Sequence, residues 1–186
     1  MSQNLLPFTP DAHRRYGLSG KRFRLWLLSK GQGSTFRRAD GMIFLTKTAR
    51  CRVEETIGRL PSPSAVIPHG IEEGFRQAPR VQLPMDAYSM ERPFRWLYVS
   101  VIELYKHQTC VAEAVAMLRR ENVPVALDLV GPSYPAAMRQ LAGVLRRLDP
   151  AGKGIRYHGP VSHDRLSSYY LAADGFVFAS SCENMP

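Results

Sequence analysis

Two α/β halves, each built on a parallel sheet, are what this sequence predicts. In residues 94–186 short apolar runs alternate with segments of helical periodicity, joined by short links. That order means βαβ units and a parallel sheet. The apolar runs are continuous rather than alternating, as strands covered on both faces are. Residues 1–68 repeat the alternation, but it starts late.

The elements follow in order. "QNLLPF" (3–8) reads as the end of a strand, and "SGKRFRLWLLSKGQGSTFRRA" (19–39) as one or two helices. "GMIFLT" (41–46) is a strand, "KTARCRVEETIGRL" (47–60) a helix and "SAVIPHG" (64–70) a strand. Residues 71–93 hold several prolines and no sustained period, so they read as a linker. "RWLYVS" (95–100) opens the second half as a strand. In "HQTCVAEAVAMLRREN" (107–122), Val111, Ala114, Val115 and Leu118 have helical spacing. "VPVALDLVG" (123–131) is a strand ending in Gly-Pro. "YPAAMRQLAGVLRRL" (134–148) is a helix with Met138, Leu141, Leu145 and Leu148 on one side. "GIRYHG" (154–159) is a strand, "SHDRLSSYYLAA" (162–173) a helix with Ser162 as candidate N-cap, and "DGFVFAS" (174–180) a strand. Pro186 suits the first position of a further helix.

Apolar content is 45%, which suits a packed core and excludes a disordered chain. No apolar run approaches the ~18 residues of a membrane span. The N-terminus shows no charged segment leading into an apolar one, as a secretory signal would. Cys51, Cys110 and Cys182 are odd in number and lack C-x-x-C spacing, which argues against a disulfide framework or zinc site. A reducing, cytoplasmic setting fits. The net charge is +9 and uneven. Residues 1–68 carry 12 Lys/Arg against 4 Asp/Glu, or +8, and the remainder 13 against 12, or +1. Such a basic half points to an anionic partner or simply to solubility.

Ligands of parallel α/β sheets lie outside the carboxyl ends of the strands. That rule selects Ser100, Gly131, Gly159 and residues 180–186, where helix N-termini can hold anions. Gly131 either lets the backbone approach a phosphate or makes a tight turn. Lys106, just before a helix, is placed to meet a phosphate as a point charge, or is a surface lysine. Glu183, after a buried strand, can bond sugar hydroxyls or cap a following helix. "KGQGS" (30–34) lacks phosphate-loop spacing and a preceding strand. No D-x-D is present, and the histidines at 13, 69, 107, 158 and 163 have no metal-ligand spacing.

"RWLYVSVIELYKHQ", "LDLVG", "SAVIPHGI" and "IRYHGPVSHDRLSSYYLAADGFVFASSCENMP" together resemble the retaining, group 1 nucleotide-sugar glycosyltransferases of the GT-B fold. "QNLLPF" and "FRRADGMIFLT" resemble members acting in bacterial cell-surface polysaccharide or lipopolysaccharide synthesis. The resemblance implies two Rossmann-like domains, both incomplete here. Residues 1–68 would be the later part of the acceptor-side domain, 69–93 the interdomain linker and 94–186 the earlier part of the donor-binding domain. It implies that Lys106 holds the donor diphosphate and that Glu183, first of an E-x(7)-E pair, binds the transferred sugar. The second glutamate would fall beyond Pro186. Ser100, Gly131, Gly159 and the backbone of Asn184, Met185 and Pro186 would border the donor, and His69 and Gly70 the interdomain cleft. Many relatives carry an arginine five residues before the lysine; here that residue is Val101.

The implied partners are a nucleotide-sugar donor and a glycan or lipid-linked acceptor, with no nucleic acid, no metal and no other cofactor. "KRFRLWLL" (21–28) either lies on an anionic membrane, at the inner face of the plasma membrane, or is a mostly packed helix. On a helical wheel Phe23, Trp26 and Leu27 share a face with Lys30. The alternative reading is a non-catalytic Rossmann-like module binding nucleotide or a polyanion.

Overall fold

The computed structural model describes residues 5–9, 17, 19–78 and 80–183. They form two compact units: the described residues up to Gly70 with residues 181–183, and Ile71–Ser180.

In the first unit, helix α1 (Gly20–Arg38) is continuous and starts at Ser19, whose side chain accepts from the Arg22 N–H. Strand β1 (Met42–Phe44), helix α2 (Lys47–Ile57) and strand β2 (Ser64–Val66) form a βαβ unit with β1 and β2 parallel. The Thr46 hydroxyl caps α2 by accepting from the Ala49 N–H. Of the strand end expected over 3–8, residues 3 and 4 lie outside the described residues, and residues 5–8 are not a strand. Leu6–Phe8 form a 3₁₀ turn closed by Phe8 N–H to the Leu5 carbonyl at 2.8 Å, with proline in its first turn. Pro7 lacks the N–H a ladder needs. The turn buries Leu5, Leu6 and Phe8, and the Phe36 ring packs between those of Phe8 and Phe44.

In the second unit, strands β3 (Phe94–Val99), β4 (Val125–Val130), β5 (Ile155–Tyr157) and β6 (Gly175–Phe176) make one parallel sheet in the order β5-β4-β3-β6. Chain order runs outward from β3 to β5 and then jumps back to β6. The direction of winding therefore reverses between β3 and β6, which is where doubly wound sheets open a crevice at their carboxyl ends. Helices α3 (Gln108–Arg120) and α4 (Pro135–Leu148) cover one face, with Tyr98, Leu127, Leu129, Ala112, Val115 and Leu141 in the core. Proline at the start of α4 is pre-set for a helix.

The inward side of α4 is the expected one: Leu141 is buried, and Met138, Leu145 and Leu148 pack against the core. The inward side of α3 is rotated from the expected one. Ala112, Val115 and Ala116 are buried, while Ala114 and Leu118 are exposed. Alanines facing the sheet let the helix approach closely, and buried Gln108 pins its first turn. Helix α5 (His163–Ala172) begins at Ser162 as expected, but that hydroxyl makes no capping bond. It instead donates to the Asp164 carboxylate, which holds this acid below its usual range.

The described residues of 71–93 belong to the second unit. The Phe75 ring meets His163 and Tyr170 edge-on. Arg80 and Gln82 bond the side chain and the carbonyl of Asp174.

Candidate functional site

Past the carboxyl ends of β3 and β4 the ladder stays zipped. Ser100 N–H donates to the Val130 carbonyl at 2.9 Å, Ile102 N–H to Pro132 at 2.7 Å and Tyr134 N–H to Ile102 at 3.0 Å. Gly131 sits inside this zipper at φ 139°, and a Cβ there would lie 2.2 Å from the Ser100 carbonyl oxygen. Only glycine fits that approach. Its N–H donates to the Gly159 carbonyl at 2.9 Å, and its carbonyl accepts from the Tyr157 hydroxyl at 2.9 Å. Ser100, Gly131 and Gly159 are thus locked together by backbone contacts, and what the glycine approaches is Ser100.

The turn after β3 carries the chemistry. Leu104–Lys106 form a 3₁₀ turn. The Glu103 carboxylate caps it, accepting from the Leu104 N–H at 3.0 Å. His107 adopts left-handed backbone at φ 55° and hands the chain to α3. Gln108, 2% exposed, donates from its amide to the Val101 carbonyl at 2.8 Å. Lys106 is only 6% exposed, rare for a lysine. Its Nζ lies 4.9 Å from the Phe178 ring centroid and 5.1 Å from that of Tyr105. The Tyr98 hydroxyl donates to the Lys106 carbonyl at 2.5 Å and accepts from the Ala179 N–H at 3.3 Å. Lys106 therefore lies at the β3/β6 reversal, its turn fastened to the segment that follows β6.

The other expected residues belong to the first unit. Glu183 is half-buried and follows buried Cys182, whose Sγ lies 3.5 Å from the Thr9 hydroxyl. His69 and Gly70 are exposed after β2. Asn184, Met185 and Pro186 lie outside the described residues.

Sequence reasoning missed two carboxylate hubs. Asp128, buried in β4 on the face away from α3, accepts from Arg95 Nη2 at 2.7 Å and Nε at 3.2 Å. Its other oxygen lies 2.6 Å from His158 Nε2. The three border a cleft of about 350 Å³ with Arg165 and Tyr169. Asp174 accepts from the Tyr88 hydroxyl at 2.6 Å and the Arg95 backbone N–H at 2.8 Å, and pairs with Arg80. Burial pushes this acid up, but the bonds from Tyr88, Arg95 and Arg80 outweigh it and hold it below its usual range. The same contact pushes the Tyr88 phenol up. The signal for Asp128 was in view: a lone acid inside the apolar run "VALDLV".

No family model matches the chain, and no curated protein does. Solved structures do. Sucrose-phosphate synthase from Thermosynechococcus elongatus matches all of this chain and 44% of its own, with 20% identity and a TM-score of 0.67. An S. aureus TarM mutant, solved with Fondaparinux, alpha-GlcNAc-glycerol and UDP, matches 85% of this chain and 29% of its own, at 13% and 0.65. Anabaena HepE, solved with UDP and glucose, matches 93% and 44%, at 16% and 0.63. The chain carries part of the GT-B fold. It spans less than half the length of these GT-B neighbours. The α/β class with parallel sheets expected from sequence is the observed one. Among the described residues no helix is long and apolar enough to cross a membrane.

Proposed function

We propose that the full-length protein is a retaining glycosyltransferase that moves a sugar from a nucleoside diphosphate to a cell-surface glycan or lipid-linked acceptor. The observation that carries this reading is Lys106, a lysine almost fully buried at the winding reversal of a parallel sheet. Ligands of parallel α/β sheets gather at such a reversal, and a lysine there meets an anion as a point charge. The leaving group of such a transfer is a diphosphate whose charge grows as the sugar departs. A fixed cation aimed at that charge stabilises the transition state more than the ground state. UDP in the TarM and HepE structures supports the assignment of Lys106 to the diphosphate.

Glu183 is assigned to the transferred sugar, with Ser100, Gly131, Gly159 and the backbone of Asn184, Met185 and Pro186 bordering the donor. His69 and Gly70 are assigned to the interdomain cleft. Metal-independent catalysis is part of the proposal, because the sequence lacks D-x-D spacing. A panel of nucleotide sugars is to be screened by thermal shift on the full-length protein, and nucleoside diphosphate release followed for the hits. At least one donor should raise Tm and be turned over equally with and without EDTA. A panel without a single stabilising donor would sink the reading, and release abolished by EDTA would overturn the metal-free part.

The same protein is assigned a peripheral contact with anionic membrane through α1. Phe23, Trp26 and Leu27 are exposed there, with the first two rings stacked, beside exposed Arg22, Arg24 and Lys30. Basic charge beside exposed apolar side chains complements an anionic lipid surface. Co-sedimentation with phosphatidylglycerol vesicles, weakened by Trp26→Ser and absent with phosphatidylcholine, is the expected result. Equal recovery with both vesicle types would contradict the contact.

A further inference from the structure

We propose that Phe178 and Tyr98 are positioning residues for the Lys106 ammonium, which they hold against an aromatic wall at the β3/β6 reversal so that it meets a diphosphate from a fixed place. This rests on the assignment of Lys106 to the donor diphosphate.

The wall is visible in the packing. Lys106 Nζ lies within 5 Å of the Phe178 ring centroid and close to the same distance from Tyr105, inside the range where a ring face attracts a cation. A ring face offsets part of the lost hydration while leaving the full positive charge in place. Phe178 is itself braced: its ring packs against Tyr98 at 5.5 Å and stacks on Phe176 at 6.0 Å.

Tyr98 supplies the register. Its side chain is 1% exposed, and its one hydroxyl bonds both the carbonyl of Lys106 and the N–H of Ala179. These two backbone positions flank the lysine and the ring it sits on, although they lie far apart in sequence. A single buried oxygen therefore ties the turn carrying the cation to the segment carrying the wall. Buried hydroxyls find partners in general. Here the two partners are the two parts whose spacing decides where the ammonium sits.

The test uses the full-length protein and calorimetric titration of UDP, GDP, ADP and dTDP, continuing with whichever wild type binds most tightly. Position 178 is filled with phenylalanine carrying one, two and three ring fluorines, which nearly preserve shape while draining the negative charge of the ring face. The dissociation constant should rise stepwise with fluorine count, reaching three- to tenfold at three fluorines, with thermal unfolding unchanged. Tyr98→Phe should weaken the same nucleotide two- to fivefold. If Lys106→Ala weakens binding but the fluorinated series is flat, or trends the other way, the aromatic wall is overturned while the diphosphate assignment stands. If Lys106→Ala changes nothing, the diphosphate assignment fails and this inference goes with it.

Discussion

The two units handle polarity in opposite ways. The first carries most of the net charge, yet its buried side chains among the described residues are apolar, from Leu5 and Phe8 through Met42 and Phe44 to Val53 and Cys182. The second is close to neutral, yet it buries Glu103, Lys106, Gln108 and Asp128. Surface charge is cheap in water, while interior charge has to be held by specific partners. Net charge directs attention to the first half. The groups held at a thermodynamic cost are in the second, and three of them crowd the turn after β3.

This contrast can be broken at several places. The largest effect is expected in the apolar unit. Phe8, 1% exposed and packed on Phe36, should cost about 3–5 kcal/mol as Phe8→Ala in denaturant unfolding. A cost under about 1 kcal/mol would mean that this core does not hold the unit together. Next comes Gly131→Ala. The added methyl collides with the Ser100 carbonyl, and positive φ adds strain, so about 3 kcal/mol of stability should be lost. Unchanged stability would show that the zipper beyond β3 and β4 is loose.

Asp174→Asn should cost about 2 kcal/mol, because the hub loses charged hydrogen bonds. Its pH dependence has a definite sign. The folded acid titrates below its usual value, so its stabilisation is complete above about pH 4 and fades as pH falls through the folded value. The variant should therefore show a shallower acid limb than wild type, and identical acid limbs would remove Asp174 from the account. The smallest effect is expected at exposed Arg24. Arg24→Ala should change stability by less than about 0.5 kcal/mol, and a larger loss would mean that surface charge matters structurally in the basic unit.

Much of the fold was legible because continuous apolar runs and helical periods are local properties. The strands at 94–99 and 125–130 and the helix at 135–148 follow from them directly. What was not legible depended on partners far away in sequence. Residues 71–93 have no period of their own, and they are ordered by contacts such as Arg80 with Asp174. Helix α3 misled because a wheel ranks Leu118 above Ala112, whereas close packing on a sheet favours the smaller side chain. At the site, "LYKHQ" marked Lys106, but not its aromatic surroundings. Phe178 and Tyr98 looked like ordinary strand hydrophobics, and only the β5-β4-β3-β6 order brings them to the lysine.

The most direct measurement is calorimetric titration of a nucleoside diphosphate into the full-length protein and its Lys106→Ala variant. Removing a charged hydrogen-bond donor should cost about 1.5–3 kcal/mol, a roughly 10- to 150-fold weakening, with unfolding otherwise preserved. Equal affinities in the two proteins would contradict the claim that the buried lysine of the near-neutral unit is where this molecule meets its anion.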